Sequence, residues 1–376
     1  MNMKRHYLQQ LICIFSFILT GGIVTNAQVI RVANNNANAP TGDNIFATAQ
    51  EAIDAATAGD IIQIVPSLTT YGDITIDKQL TIYGIGYNPD KDIVLTSQLT
   101  NINLEGVAAS GTLISGIDCW VINLATNTGS SYTQSGVTIA SNKINRIEQD
   151  VSNTVVNLII RNNLIYGQGN PARTILLAID DKVVNAEIAN NIIHGSGGVL
   201  AGGLSAGNFT RIRHNLFYGS DLAAWSTFHQ IFDCIVTNNI FYGRGPQNGS
   251  GGSMDRNVFS NNLSFTSYDN TLPPVATGVG NTGLDNLPVN DPLFENLPLG
   301  VGTGAWQFTY DATLQAESPA IGAGTGGEDL GIFDGPFPFD NVNTGSVLPV
   351  IQEVHTSGLV NEGETLKVNI TANSPN

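Results

Sequence analysis

The sequence predicts an all-β protein whose strands stack as repeated coils, and three observations lead to this fold class. Charged residues make up only 12% of the 376 residues, about half of the usual share in soluble domains. Asn and Gly each occur 41 times, and both residue types disfavour helix and tolerate left-handed turns. Short apolar runs recur around Asn-Asn pairs with a period near two dozen residues. Such a period is typical of stacked repeats.

The charge balance argues against several functional classes. The formal net charge is −16, whereas proteins that bind nucleic acid depend on clustered basic residues. Coiled coils and disordered polyelectrolytes need denser charge than this chain has. An acidic chain also has poor affinity for nucleic acid and for anionic membranes. We therefore expect no nucleic-acid partner.

Residues 1–27 have the form of a signal peptide. Two basic residues precede an apolar stretch, Leu11–Leu19, and small residues up to Ala27 suit cleavage. The apolar stretch is shorter than the roughly 20 residues of a transmembrane helix. We expect a mature chain that begins at Gln28, is secreted or held at the cell surface, and does not insert into a membrane after cleavage.

Five segments align on an Asn that follows a short alternating apolar run. Successive anchors are 28, 24, 24 and 23 residues apart, and a weaker copy lies 21 residues upstream. Each unit reads as a strand, an Asn corner, a second strand and usually a Gly. Because strands stack about 4.8 Å apart, we expect the anchor amides to form a hydrogen-bonded ladder. The anchors are Asn163, Asn191, Asn215, Asn239 and Asn262, with Asn142 in the weaker copy.

Alternation along the strand before each anchor predicts which side chains face the core. Residues three before the anchor are expected inside, and residues two and four before it face solvent. This places Arg161 and Arg213 in one outward file, two coils apart. Cys234 falls in an inward column, and Cys119 lies about five coils away, beyond the roughly 7 Å that a disulfide spans. We therefore predict two free, buried thiols. The residues expected inside are Ile160, Ile188, Ile212, Val236 and Phe259.

The N-terminal part predicts a cap for the first coils. Thr48–Asp60 reads as a short helix with a capping box between Thr48 and Glu51, ended by Gly59. Together with the repeat, this arrangement resembles the right-handed parallel β-helix proteins of the pectate-lyase-like superfamily over about Phe46–Asn270. The resemblance implies a right-handed single-stranded parallel β-helix whose open end is covered by the short helix, as in polysaccharide lyases.

The chain is expected to divide into five segments. Three short motifs resemble the closing segment of many secreted bacterial β-helix proteins, most of them without an assigned activity: Asp291–Phe294, Glu317–Gly324 and Asp329–Phe333. The last stretch holds two alternating apolar runs and reads as a small β appendage. The expected segments are a signal peptide at 1–27, an N-terminal cap at 28–60, the parallel β-helix at 61–270, the closing segment at 271–344 and the appendage at 345–376.

Arg161 and Arg213 are the candidate catalytic residues. A β-helix lyase needs a basic residue to abstract a proton and a partner that neutralises the substrate carboxylate. The alternative interpretation is that the outward arginines only solvate the sheet, with Arg211 paired to Glu187 on the adjacent coil. The aligned columns contain few acids and no calcium-binding motif. We therefore expect no metal and no cofactor, with calcium a candidate only for a lyase.

Aromatic residues that follow the anchors suggest a surface for sugars. Planar rings with polar tips suit stacking on a sugar ring. The alternative is that these rings cover the apolar surface of the solenoid itself. The candidate substrate-binding residues are Tyr166, Tyr218 and Tyr242 in one file, and Trp225 in the longer stretch after Gly219. His194 and His214 occupy positions that hold Tyr and Asn in the other repeats, and we interpret both as structural.

These observations favour a secreted, non-catalytic β-helix protein that binds extracellular polysaccharide. The regular repeat, the export signal and the lack of a convergent catalytic set in the aligned columns support this hypothesis. The alternative is a polysaccharide lyase that acts on uronate-containing glycans by β-elimination. A purely structural component of the cell envelope is a third interpretation.

Overall fold

The structure is a computed structural model, and the ranges that it describes are given at the end of this paragraph. The predicted signal peptide and Trp225 lie outside these ranges. Across them, no helix has both the length and the apolar character needed to cross a membrane. The described residues are 28–87, 95–126, 129–167, 174–178, 182–194, 204–207, 209–219, 226–248, 253–265, 269–274, 278–299, 306–339, 350–356 and 368–373.

The predicted capping helix is present but shorter than expected. It spans Ala49–Asp54, and its capping box is confirmed: the Thr48 hydroxyl accepts from the Glu51 backbone N–H at 3.2 Å, and a Glu51 carboxylate oxygen accepts from the Thr48 N–H at 3.1 Å. The prediction that the helix continues to Gly59 is wrong. The Asp60 carboxylate accepts hydrogen bonds from the backbone N–H and the hydroxyl of Thr57, which favours a turn in this stretch.

Three parallel sheets form the faces of a β-solenoid, and neighbouring strands in each sheet come from successive coils. Sheet A has 11 strands, and most of them end just before an anchor position. In spatial order, its strands are Ile45–Phe46, Ile30–Ala33, Ile61–Ile64, Thr81–Tyr83, Leu113–Ser115, Thr138–Ala140, Ile159–Arg161, Glu187–Ala189, Arg211–Arg213, Ile235–Thr237 and Val258–Ser260.

Sheet B has 15 strands and contains the strands that follow the anchors, while sheet C has three. The strands of sheet B are Ile74–Ile76, Gln98–Glu105, Asp118–Thr126, Lys143–Gln149, Leu164–Ile165, Ile175–Leu176, Ile192–His194, Leu204–Ala206, Leu216–Tyr218, Ser226–Phe232, Ile240–Tyr242, Gly245–Asn248, Met254–Asp255, Leu263–Phe265 and Leu287–Pro288. Those of sheet C are Thr133–Ser135, Thr154–Val156 and Val183–Val184.

The remaining elements are short. Two pairs of strands are antiparallel, and two 3-10 helices complete the set within the described ranges. The pairs are Phe294–Asn296 with Asp311–Leu314 and Val350–Thr356 with Val368–Asn373, and the 3-10 helices are Val107–Ala109 and Thr325–Gly327.

The predicted register and the inward column are confirmed. Ile160 pairs with Ile188 and Ile188 with Ile212, and all three side chains are fully buried. Arg161, Ala189 and Arg213 pair in one file over three coils. The expectation that the columns two and four before the anchor face solvent is wrong on the middle coil, where Ala189 is fully buried and the whole Glu187 residue is 7% exposed beneath the arginines that bond to it. Cys119 and Cys234 are free and buried, as predicted.

The Asn ladder is confirmed and continues one coil beyond the predicted repeat, to Asn286. Each anchor donates from its amide nitrogen to the amide oxygen of the next anchor at 3.0–3.1 Å. The same amide nitrogen also donates to a backbone carbonyl of the previous coil, as Asn215 does to Ile188 at 2.9 Å. Every anchor therefore satisfies buried backbone groups that strands alone would leave unpaired.

A second set of asparagines makes the corners. The residue before each anchor has a left-handed backbone, with φ from 52° at His214 to 58° at Asn238, a conformation that Asn tolerates better than most residues. We call these residues the corner file. Its members are Ser141, Asn162, Asn190, His214, Asn238, Asn261 and Asp285.

The closing segment lies along the side of the coils. We call residues 318–339 the strap, because they follow the corner file from coil to coil. Corner amides donate to strap backbone carbonyls at 2.7–3.0 Å, from the coil of Asn261 to that of Asn162. The donor and acceptor pairs are Asn261 with Ala323, Asn190 with Ile332 and Asp334, and Asn162 with Phe337.

Candidate functional site

Glu187 joins two arginines on the outer face of sheet A. Arg213 donates from Nε to Glu187 Oε1 at 2.7 Å, and its Nη2 donates to the same oxygen. Arg211 Nη2 lies 3.4 Å from Glu187 Oε2, and its Nη1 donates to Asn185 at 3.0 Å. The interpretation that Arg211 pairs with Glu187 is confirmed, and Arg213 shares the same carboxylate. We call Arg161, Arg211, Arg213 and Glu187 the arginine group.

Arg161 lies in the same file as Arg213, two coils away, and against the strap. Its guanidinium carbon is 5.1 Å from the centroid of the Phe337 ring, and its Nη1 donates to the neighbouring Asn162 at 2.9 Å. Burial lowers the pKa of this guanidinium. The strap thus holds Arg161 at the border between sheet A and the corner file.

The arginine group carries three guanidinium groups and one carboxylate, in a chain whose net charge is −16. About a third of the Arg211 and Arg213 side chains is exposed, whereas Glu187 is 10% exposed. The buried carboxylate fixes the orientation of both guanidinium groups, and preoriented guanidinium is well suited to carboxylate or sulfate. The arrangement can therefore bind an anion.

The predicted aromatic file is buried in its central part. Tyr218 and Tyr242 are 3% and 6% exposed, and their hydroxyls donate to the carbonyls of Pro298 and Leu297. Burial raises the pKa of both phenols, that of Tyr242 to about 12. We call residues 291–299 and 306–314 the cover segment. Its rings meet the file edge-on, with centroids 5.7 Å apart for Trp306 with Tyr218.

This burial favours the alternative interpretation, in which these rings cover the solenoid's own surface. Rings of the file also face one another along the axis, with centroids 5.2 Å apart for His194 with Tyr218. At the N-terminal end of the file, Tyr166 is half-buried, and Lys143 Nζ lies 5.6 Å from its ring centroid. A binding role for these tyrosines remains a prediction, as it does for Trp225.

The two histidines singled out in the sequence have structural contacts. His214 is 1% exposed, with Nδ1 3.2 Å from the Gly331 carbonyl and Nε2 3.1 Å from Glu328 Oε2. His194 Nδ1 lies 3.3 Å from the Tyr218 carbonyl. Over the ranges that the structure describes, no group of three or more His, Cys, Asp or Glu residues is arranged to hold a metal ion.

Sequence reasoning missed Trp120, an exposed aromatic residue on sheet B. It lies in the strand Asp118–Thr126, where Cys119 faces the core and Trp120 is 43% exposed. The anchor pattern begins at Asn142, so this strand has no anchor by which the repeat could place it. The register could have been found from Ile144, which follows Cys119 by 25 residues and occupies the same column.

The fold was compared with solved structures, family models and curated proteins. The structure of pectate lyase Pel9A is similar, with a TM-score of 0.51 and 13% sequence identity, over 85% of this chain and 98% of that one. No protein-family model matches the chain, and no curated protein matches it in sequence. At this identity the likeness concerns the fold alone. It confirms the predicted parallel β-helix fold.

Proposed function

We propose that the protein binds an acidic extracellular polysaccharide through the arginine group of sheet A, without cleaving it. The observation that carries this proposal is the shared Glu187 carboxylate, which holds Arg211 and Arg213 side by side on the outer face. Carboxylates of a uronate polymer would meet guanidinium groups that are already oriented. The pectate lyase neighbour supports a polysaccharide ligand by analogy of fold.

Binding is favoured over catalysis by the contacts of the arginines. Arg211 and Arg213 both donate to Glu187, and a guanidinium presents N–H donors and no acceptor for a proton. Such a group attracts a substrate carboxylate but does not abstract a proton. The predicted export of the chain agrees with an extracellular ligand.

The test is the affinity of the purified mature chain for polygalacturonate, measured by affinity gel electrophoresis. We expect Arg213→Gln to weaken binding about tenfold, because one charged hydrogen-bonding partner of the polymer is lost. The matched control is Arg256→Gln, which also removes one charge. Arg256 pairs with Asp233 at an exposed corner, and we expect its variant to bind like the wild type.

Equal affinity of the wild type and of Arg213→Gln would contradict the proposal, as would absence of binding to polygalacturonate, alginate and chondroitin sulfate alike. Thermal unfolding of each variant shows whether the fold is intact. An equal loss in both variants would indicate a general charge effect in place of a site.

A uronate lyase is the second candidate, because burial lowers the pKa of Arg161 in the direction that a proton-abstracting group requires. In the reaction the C5 proton passes to the base, a C4=C5 double bond forms and the C4–O bond breaks. The leaving oxygen departs with the electron pair and takes up a proton. An unsaturated uronate product absorbs in the ultraviolet. An increase of this absorbance with the wild type, and no increase with Arg161→Gln, would establish this activity. A flat absorbance with all three acidic polymers would exclude it for them.

A further inference from the structure

A second surface, on sheet B, has features that the arginine group lacks. It is the outer face of three adjacent strands, Gln98–Glu105, Asp118–Thr126 and Lys143–Gln149. We call it the Trp120 face, because the indole of Trp120 lies in its middle strand and is 43% exposed. The cover segment buries the later part of the aromatic file, whereas Trp120 remains open.

The register defines what surrounds the indole. Asp118 pairs with Gln98 on one side and with Lys143 on the other, and Val121 pairs with Asn101 and Arg146. Trp120 is therefore flanked by rows of polar side chains, one row on each neighbouring coil. A large apolar ring within a polar, flat surface is the usual composition of a sugar platform, because sugars present C–H faces and hydroxyl edges together.

The polar side chains around Trp120 are held in place by hydrogen bonds and an ion pair with one another. Their donors and acceptors are thus oriented before any ligand arrives, which reduces the entropy cost of binding. The hydrogen-bonded pairs are Asn101 with Asp73 at 2.9 Å, Asn123 with Asn103 at 2.8 Å and Lys143 with Asp118 at 2.9 Å, and Arg146 forms an ion pair with Glu148 at 2.8 Å.

The charges of this face have no positive excess. Lys143 and Arg146 each form an ion pair with an acid, while Asp73 and the outward Glu105 add negative charge. A polyanion would therefore be repelled here, in contrast to the arginine group. This repulsion, together with the polar hydrogen-bonding groups, favours an uncharged ligand that is rich in hydroxyl groups.

The coil spacing sets the direction of the ligand. Equivalent side chains on successive coils lie about 4.8 Å apart, which is comparable to the advance of one sugar in an extended glycan. A polymer parallel to the solenoid axis would meet one polar row for each sugar. Tyr166 follows Trp120 two coils along the same file, with the buried Asn145 between them, so a polymer stacked on Trp120 would pass Tyr166 at the second sugar along.

From these observations we propose that the Trp120 face binds an uncharged, extended polysaccharide that runs along the solenoid axis, with the Trp120 indole stacked on a sugar ring. This site is separate from the arginine group, and it does not depend on the acidic-glycan proposal. The two sites lie on different sheets and take ligands of different charge.

The experiment is affinity electrophoresis of the mature chain in gels that contain glucomannan, arabinoxylan or hydroxyethyl cellulose. We expect binding to at least one of them, and a loss of about tenfold or more in Trp120→Ala, because the stacking surface is removed. Trp120→Tyr should retain most of the affinity. The control variant is Phe209→Asn, which removes an exposed aromatic ring at a corner where other coils carry Asn, and it should bind like the wild type.

A second measurement uses tryptophan fluorescence. The emission should shift when a bound polymer covers the indole, and Trp120→Tyr should lose this shift while it still binds. The proposal is overturned if none of the three polymers binds, or if Trp120→Ala binds as well as the wild type while its thermal unfolding is unchanged. Loss of binding in Arg213→Gln, with no effect of Trp120→Ala, would place the neutral glycan at the arginine group and overturn it as well.

Discussion

His214 shows how one residue of the corner file is specialised. Four of the other coils place Asn there. The corner amides of Asn162, Asn190 and Asn261 donate to strap carbonyls. The imidazole instead lies between the Gly331 carbonyl and the Glu328 carboxylate. Burial lowers the pKa of His214, and the nearby acids Glu328 and Asp334 oppose that effect.

This pKa shift predicts a dependence of stability on pH. In the folded protein the lowered pKa favours the neutral imidazole, whereas in the unfolded chain His214 takes up a proton at about pH 6.5. The contribution of His214 to stability is therefore complete above the unfolded pKa and is lost as the pH falls through the lower, folded pKa. In His214→Asn, the free energy of unfolding in urea should fall less between about pH 7.5 and about pH 5.5 than in the wild type.

Asn suits this test because Asn190 and Asn238 have the same backbone conformation at the equivalent position. Equal slopes of unfolding free energy against pH in the two proteins would show that His214 does not titrate between the folded and unfolded states.

At the level of elements, the strap depends on glycine for its close approach to the corner file. A Cβ added to Gly335 would lie 2.4 Å from Cδ2 of His214, and the backbone φ there is +85°. Gly326 has a similar φ of +79°, yet a Cβ added there would meet no atom within 4 Å. An alanine at Gly326 therefore tests backbone strain alone, whereas an alanine at Gly335 tests backbone strain together with the contact to His214.

We expect Gly326→Ala to lose about 1 kcal/mol, the cost of a left-handed backbone with a side chain. Gly335→Ala should lose about 1–3 kcal/mol more, because the strap must move away from the imidazole. The midpoint of urea denaturation measures both losses. Equal losses in the two variants would mean that the contact with His214 contributes nothing to the attachment of the strap.

For the molecule as a whole, the sheets present different chemistry to the surroundings. Sheet A carries the arginine group and sheet B the Trp120 face, so one rod could hold an acidic and an uncharged polymer at once. The core between the sheets is continuous from the capping helix to the last coils. Cys119 and Cys234 belong to it on different coils, and burial raises the pKa of both thiols, that of Cys234 to about 12.

The two thiols should therefore report unfolding of the whole solenoid. In the mature chain we expect no rapid reaction with a thiol reagent near neutral pH, because neither sulfur is accessible or ionised. In denaturant without reductant, two thiols should react. Rapid labelling of the native protein would contradict the burial, and a failure to label the denatured chain would indicate a disulfide.

The sequence predicted the features that repeat, and it could not predict those that do not. The Asn ladder and the inward columns recur from coil to coil between Asn142 and Asn286, so alignment of the chain with itself was sufficient there. The strap contacts join Asn162 to Phe337, 175 residues apart, and leave no periodic signal. The cover segment that buries the aromatic file is also distant in sequence and does not repeat. The repeat alone therefore could not show whether these rings face solvent or the core. Glu187 and Arg211 share a column of the repeat, and the sequence therefore predicted their pairing. The hydrogen bond of Glu187 to Arg213, in the next column, depends on side-chain rotamers that the repeat does not predict.

The strap also changes how the coils depend on one another. In a simple stack each coil contacts its neighbours alone, so one coil can open while distant ones stay closed. Here a single stretch of chain is attached to corners from Asn162 to Asn261, so opening a middle coil also strains its attachments on either side. Because the strap is the last of these parts to leave the ribosome, cooperative behaviour of the solenoid begins only when synthesis has passed residue 339.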